Sequence, residues 1–76
     1  MERLRYPVEY AASVLGVTTT TVQELKRKLK IGKYITHDDL QRLKEVVKDI
    51  RKSNKNGMVS LTTINQFMRY NDISKY

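Results

Sequence analysis

The chain of 76 residues has no cysteine, no tryptophan, a single histidine, a single proline and three glycines. Without cysteine no disulfide framework can staple the fold, and His37 alone falls short of the roughly four thiolate or imidazole ligands of a tetrahedral zinc site. Disulfide-rich scaffolds and zinc-held domains are therefore excluded, and neither a metal nor another cofactor is expected. Long apolar runs are missing too. No stretch of about 18 apolar residues is available to cross a bilayer, and Met1-Glu2-Arg3-Leu4-Arg5 is not followed by the apolar core of a signal peptide. A cytoplasmic protein without a membrane partner is the expectation. Acid is the last scarcity: 8 Asp and Glu stand against 15 Lys and Arg, and the resulting formal charge of +7 points to a polyanionic partner.

What is present suffices for one small core. Hydrophobic residues make up 39% and charged residues 30%, a globular composition, while 76 residues are too few for two separately folded units. A single domain over residues 1–76 is expected, with a thin stability margin of its own.

Apolar periodicity predicts a mostly α fold of about four helices. After a basic arm at residues 1–5, Pro7 suits a first helical position, and Val8, Ala11, Ala12 and Leu15 recur at helical spacing. Gly16 is a natural positive-φ terminator, and Thr18 can cap the helix that follows. That helix, about Thr19 to Leu29, gathers Val22, Leu25 and Leu29 on one face and leaves Thr19, Thr20, Gln23, Lys26, Arg27 and Lys30 largely outward. Around Gly32, residues 31–35 suit a minimal hairpin or an extended turn.

Thr36, with Asp39 completing a capping box, opens a third helix over residues 36–52 with the stripe Leu40, Leu43, Val46, Val47 and Ile50. The turn-forming cluster 53–57 ends it. A C-terminal helix at residues 60–70 follows, with Ser60 as cap and Leu61, Ile64, Phe67 and Met68 on one face. Tyr70 and Tyr76, together with Phe67 and Met68, make the tail a packing or dimer element.

The positive charge is clustered. Lys26, Arg27, Lys28, Lys30 and Lys33 place five cations in eight positions with no acid among them. A second basic stretch from Lys44 to Lys55 is interrupted by Glu45 and Asp49, the pattern of an ordinary solvated helix face.

The first of these clusters closes a segment with helix-turn-helix spacing. Ala12 is small enough for a close helix crossing, Gly16 four residues on permits the sharp bend, and Val22 with Leu25 anchors the second helix so that its other face projects outward. A B-DNA major groove, about 12 Å wide, admits such a helix. A compact helical hairpin without this role would want similar residues at Ala12, Gly16 and Val22; the five cations that follow favour the DNA reading.

The residues Tyr6-Pro7-Val8-Glu9-Tyr10-Ala11-Ala12-Ser13-Val14-Leu15-Gly16-Val17-Thr18 resemble the start of MerR-type and excisionase-type DNA-binding domains, and Tyr34 to Leu43 resembles their post-wing helix. The resemblance spans about Tyr6 to Ile50 and implies a winged helix-turn-helix with a minimal wing at residues 31–35 that docks on duplex DNA. Gln23-Glu24 replaces the basic-aromatic pair of the MerR recognition helix, which argues against promoter-twisting activation. A long dimerisation helix and an effector domain are missing, so no small-molecule effector is expected.

Individual roles follow. Thr19, Thr20 and Gln23 are the candidates for base edges, since Gln can bond adenine twice and Thr methyls can touch thymine. Thr18, Lys26, Arg27, Lys30 and Lys33 are the candidates for phosphates, Thr18 through the backbone N–H groups beside it. Glu24 is open between accepting from cytosine, repelling the backbone and pairing with Lys28. Arg3 and Arg5 either reach a minor groove or belong to a flexible arm. No residue is assigned a catalytic role.

The function expected is that of a small, sequence-specific, nucleoid-associated transcriptional regulator, with homodimer and cooperative oligomer on DNA both open. Two alternatives stand beside it: an excisionase-like or segregation factor that shapes DNA on repeated sites, and a basic adaptor for an acidic protein or RNA.

Overall fold

Pro7 has an extended ψ of 161° and stands just ahead of the first helix as its N-cap, one residue earlier than the sequence suggests, its carbonyl accepting from Ala11 N–H at 3.2 Å. The computed structural model describes residues 5–73 and 76; Arg3 and the rest of the basic arm's first four residues lie outside them. In chain order the elements are β1 (Arg5–Tyr6), α1 (Val8–Leu15), α2 (Thr19–Leu29), β2 (Ile35–Thr36), α3 (His37–Ser53) and α4 (Leu61–Tyr70). The described residues are thus mostly helical, with four helices and one two-stranded antiparallel sheet among them.

The turn between α1 and α2 follows from Gly16. Its φ of +70° is left-handed, and the chain bends there so that Gly16 N–H donates to Ser13 and Val17 N–H to Ala12. These are the two backbone bonds of a Schellman cap. Two residues later Thr18 takes an extended conformation and its Oγ accepts from Thr21 N–H at 3.2 Å, which starts α2. Both ends of α3 and α4 are equally local in origin. Thr36 with Asp39, and Ser60 with Thr63, form reciprocal capping boxes, and Asn54 bonds Ile50 and Met58 to organise the loop before α4.

The core is drawn from every helix. Ala11, Ala12 and Leu15 of α1, Val22, Leu25 and Leu29 of α2, the α3 stripe from Leu40 to Ile50, and Ile64 and Phe67 of α4 are buried together with Ile35 of β2. Thr21 joins them at 3% exposure, its hydroxyl satisfied by Thr18.

Of the two forms open to residues 31–35, the hairpin is not the one adopted: the segment turns into β2, which pairs with β1, Arg5 opposite Thr36 and Tyr6 opposite Ile35, as a minimal wing. Burial of Ile35 pins β2 to the core, and the open edge so created is met by the segment just before α1. For the same reason Arg5 is part of a strand and not of a flexible arm.

Of the apolar and aromatic tail residues Phe67, Met68, Tyr70 and Tyr76, one is exposed and three are packed. Tyr70 is 80% exposed, whereas Phe67 is buried and Tyr76 packs against it with ring centroids 6.5 Å apart. The Tyr76 hydroxyl donates to the Asp49 carboxylate. Burial, then this hydrogen bond and the negative charges of Asp49 and Glu45, push the Tyr76 phenol well above its ordinary value. An unfolded chain therefore releases this proton first, near pH 10, so the contribution of Tyr76 to stability is complete below that pH and declines as pH rises through and beyond it. Urea unfolding of the protein and of Tyr76→Phe between pH 8 and 11 checks this: the stability difference is expected to hold up to about pH 9.5 and to shrink above it. A difference independent of pH would refute the assignment.

Candidate nucleic-acid interface

The exposed side of α2 is set by the same periodicity that buries the other side. Thr19, Thr20, Gln23, Arg27 and Lys30 are exposed, Lys26 is half-buried, and Val22, Leu25 and Leu29 face inward. Eleven residues give a surface about 16 Å long at 1.5 Å per residue. Its N-terminal half offers hydroxyl and amide groups, its C-terminal half cations.

Two arginines of α3 hold this hairpin of helices in place. Arg51 donates from Nη2 to Leu15 O at 2.8 Å and to Gly16 O at 3.3 Å, closing the end of α1. Arg42 does the same for α2, with Nη2 3.2 Å from Leu29 O and Nη1 3.3 Å from an Asp39 oxygen. Cations at helix C-termini also meet the negative end of the helix dipole.

Lys30 occupies an unexpected conformation. At φ +59° it is the sole non-glycine residue with positive φ among those described, and it terminates α2 by a second Schellman cap in which Ile31 N–H donates to Lys26 and Lys30 N–H to Arg27. For an L-residue this conformation costs roughly 1–2 kcal/mol relative to the right-handed one. The glycine that would relieve it stands two positions later, at Gly32. A lysine thus stands where a glycine would be unstrained, at the exposed end of α2.

Beyond this cap the chain folds back on α2. Lys26 Nζ donates to Lys33 O at 3.1 Å, and Lys33 and Arg5 flank the half-exposed Tyr34 ring with their charges 5.6 and 5.7 Å from its centroid. Arg5, Lys33 and Tyr34 thus form a basic-aromatic cluster against the C-terminal half of α2. Arg5 and Tyr34 had no assigned role at this cluster in the sequence. Tyr34 lies in the bend just before β2, and nothing in the sequence marks it for this cluster.

Glu24 pairs with Lys28, one of the roles open to it, and more closely with Arg27, which was not among them. It accepts from Arg27 in a fork, Nε to Oε1 at 3.3 Å and Nη2 to Oε2 at 2.7 Å, while Lys28 Nζ stays 3.9 Å away. The hydrogen bond from Arg27 holds the Glu24 carboxyl below its ordinary value against an opposing effect of burial, and the charges of Arg27 and Lys28 add to it. Arg27 is accordingly engaged with its own helix, whereas Lys26, Lys30 and Lys33 take no part in the ion pairs among the described residues, Lys26 being held by the Lys33 carbonyl. Thr18 is exposed with its hydroxyl committed to the cap, which leaves its part to the backbone at the start of α2.

Comparison with family models, with curated proteins and with solved structures returned no match. Among the described residues no group of three or more His, Cys, Asp or Glu stands placed to hold a metal, and no helix is long and apolar enough to cross a membrane.

Proposed function

We propose that the chain is a sequence-specific duplex-DNA-binding protein, a small transcriptional regulator of the nucleoid, that lays α2 in the major groove. Thr19, Thr20 and Gln23 face base edges in this reading, and Lys26, Lys30 and Lys33 contact phosphates, with the start of α2 beside Thr18. Arg27 reaches a phosphate by exchanging its bond to Glu24. The observation that carries the proposal is the exposed row Thr19, Thr20, Gln23 running into Lys30, a cation held in a strained backbone conformation at the end of α2. Strain of this kind concentrates where function demands a particular side chain. The likeness of Tyr6 to Thr18 to MerR-type and excisionase-type domains supports the same reading.

Selection from a random duplex library, followed by titration of the best and scrambled sites at two salt concentrations, tests it. An enriched motif is expected. Gln23→Ala is expected to lose discrimination at one base pair, about 1–3 kcal/mol, with little change in the salt dependence. Lys30→Ala keeps the same backbone demand, since alanine also has a Cβ, and is expected to weaken all sequences evenly and to lower the salt slope by about 0.9. Binding without any preferred sequence, vanishing at moderate salt, would overturn the recognition role of α2.

A further inference from the structure

We propose that a second surface, the groove between α1 and α3, binds an acidic amphipathic helix of a partner protein. The sequence pattern of Lys44 to Lys55 suggests an ordinary mixed-charge face, but the fold separates the signs. Lys44, Lys48, Arg51 and Lys52 line one side of α3 together with Val14, Leu15 and Val47, around a groove of about 420 Å³. Glu45 and Asp49 are turned to another side, where they meet Gln41, Arg42 and Tyr76. The groove thus has an apolar floor, a rim of four cations and no acid in its lining.

Nothing within the described chain neutralises that rim. The ion pairs among the described residues involve Glu24 with Arg27 and Lys28, and Asp39 with Arg42. Arg51 is fixed by backbone carbonyls of Leu15 and Gly16, which position its charge without cancelling it. Spacing of 44, 48, 51 and 52 along α3 covers about 12 Å, or two turns of an opposing helix.

The floor decides the class of partner. Val14 is 41% exposed, and a phosphate backbone brings no apolar group to cover it, whereas a helix with aliphatic residues three and four apart does. Acidic residues flanking those anchors meet Lys44, Lys48 and Lys52 and steer the encounter. The groove shares no lining residue with the exposed face of α2, so the inference does not depend on what α2 binds.

The test uses the full chain and two synthetic 14-residue peptides of equal negative charge, one with three leucines at helical spacing among glutamates and one with those leucines replaced by serine. Amide shifts and fluorescence anisotropy are read, with a 16-base-pair duplex as the third ligand. The leucine peptide is expected to shift the amides of Val14, Leu15, Lys44, Val47 and Lys48 and to bind at least tenfold more tightly than the serine peptide. Val14→Ser should weaken it at least fivefold and leave duplex affinity unchanged, and Lys44→Glu with Lys48→Glu should weaken it at least tenfold. Equal binding of the two peptides, shifts confined to α2, duplex DNA occupying the same groove, or no binding of the leucine peptide would each overturn the proposal.

Discussion

Leu25→Ala is expected to lower the unfolding free energy by about 3 kcal/mol and the midpoint of thermal unfolding by about 15 °C. Leu25 has no exposed surface and belongs to the face of α2 that joins the common core with Val22 and Leu29. Removing three carbons there forfeits their transfer out of water and leaves a void that helices tied at both ends cannot close. The ties are specific: Thr18 caps the start of α2, and Arg42 holds the carbonyl of Leu29 at its end. A domain of this length has on the order of 8 kcal/mol in total, so one truncation removes more than a third of it. Circular dichroism on heating and in urea measures the loss. A cost below about 1 kcal/mol would mean that α2 is not anchored through Leu25.

That anchoring was legible in the sequence because helices here obey local rules. Val22, Leu25 and Leu29 are spaced for one face, Thr18 and Thr36 are capping residues with the right successors, and Gly16 stands where a left-handed residue is required. Helix boundaries for α2 follow directly, and the start of α1, both ends of α3 and the start of α4 shift by a single residue. Thr21 was missed: it adjoins Val22 and stands four residues before Leu25, but the run of four threonines draws attention to capping and away from the core.

Contacts set by tertiary geometry were not legible. Strands of two residues are too short to show an alternating pattern, so nothing in Arg5-Tyr6 announces its pairing with Ile35-Thr36. Gly32 attracts the expectation of a turn, yet the left-handed residue is Lys30, because the helix ends where Ile31 can be drawn toward the core as the apolar partner of the cap. In the candidate interface the outward residues of α2 were legible from periodicity, whereas the Arg5, Lys33 and Tyr34 cluster needed the sheet to form. The fork between Arg27 and Glu24 has a local origin. Its two parallel bonds outweigh the usual advantage of the i, i+4 lysine. The separation of Lys44 and Lys48 from Glu45 and Asp49 likewise depends on which flank of α3 the first helix covers.

The second large effect joins a legible residue to an illegible one. Gly16→Ala is expected to cost about 2 kcal/mol and about 10 °C in midpoint, from two sources. A φ of +70° penalises any Cβ by roughly 1–2 kcal/mol. The new methyl also stands 3.1 Å from Arg51 Nη2, the atom that closes α1 by donating to Leu15 O at 2.8 Å. Arg51 is long enough to move by a few tenths of an ångström, but moving stretches that bond and leaves the carbonyl of Leu15 with a poorer partner. A double-mutant cycle with Arg51→Ala separates the sources. The backbone penalty persists when Arg51 is absent, while the steric part disappears, so a coupling of about 0.5–1 kcal/mol is expected. Strict additivity would show that Arg51 yields freely and that Gly16 acts through its backbone alone. Because the turn at Gly16 aims α2 and Arg51 also lines the cationic groove, the same cycle measured with both ligands, duplex and peptide, reports whether one residue pair sets the geometry of both surfaces.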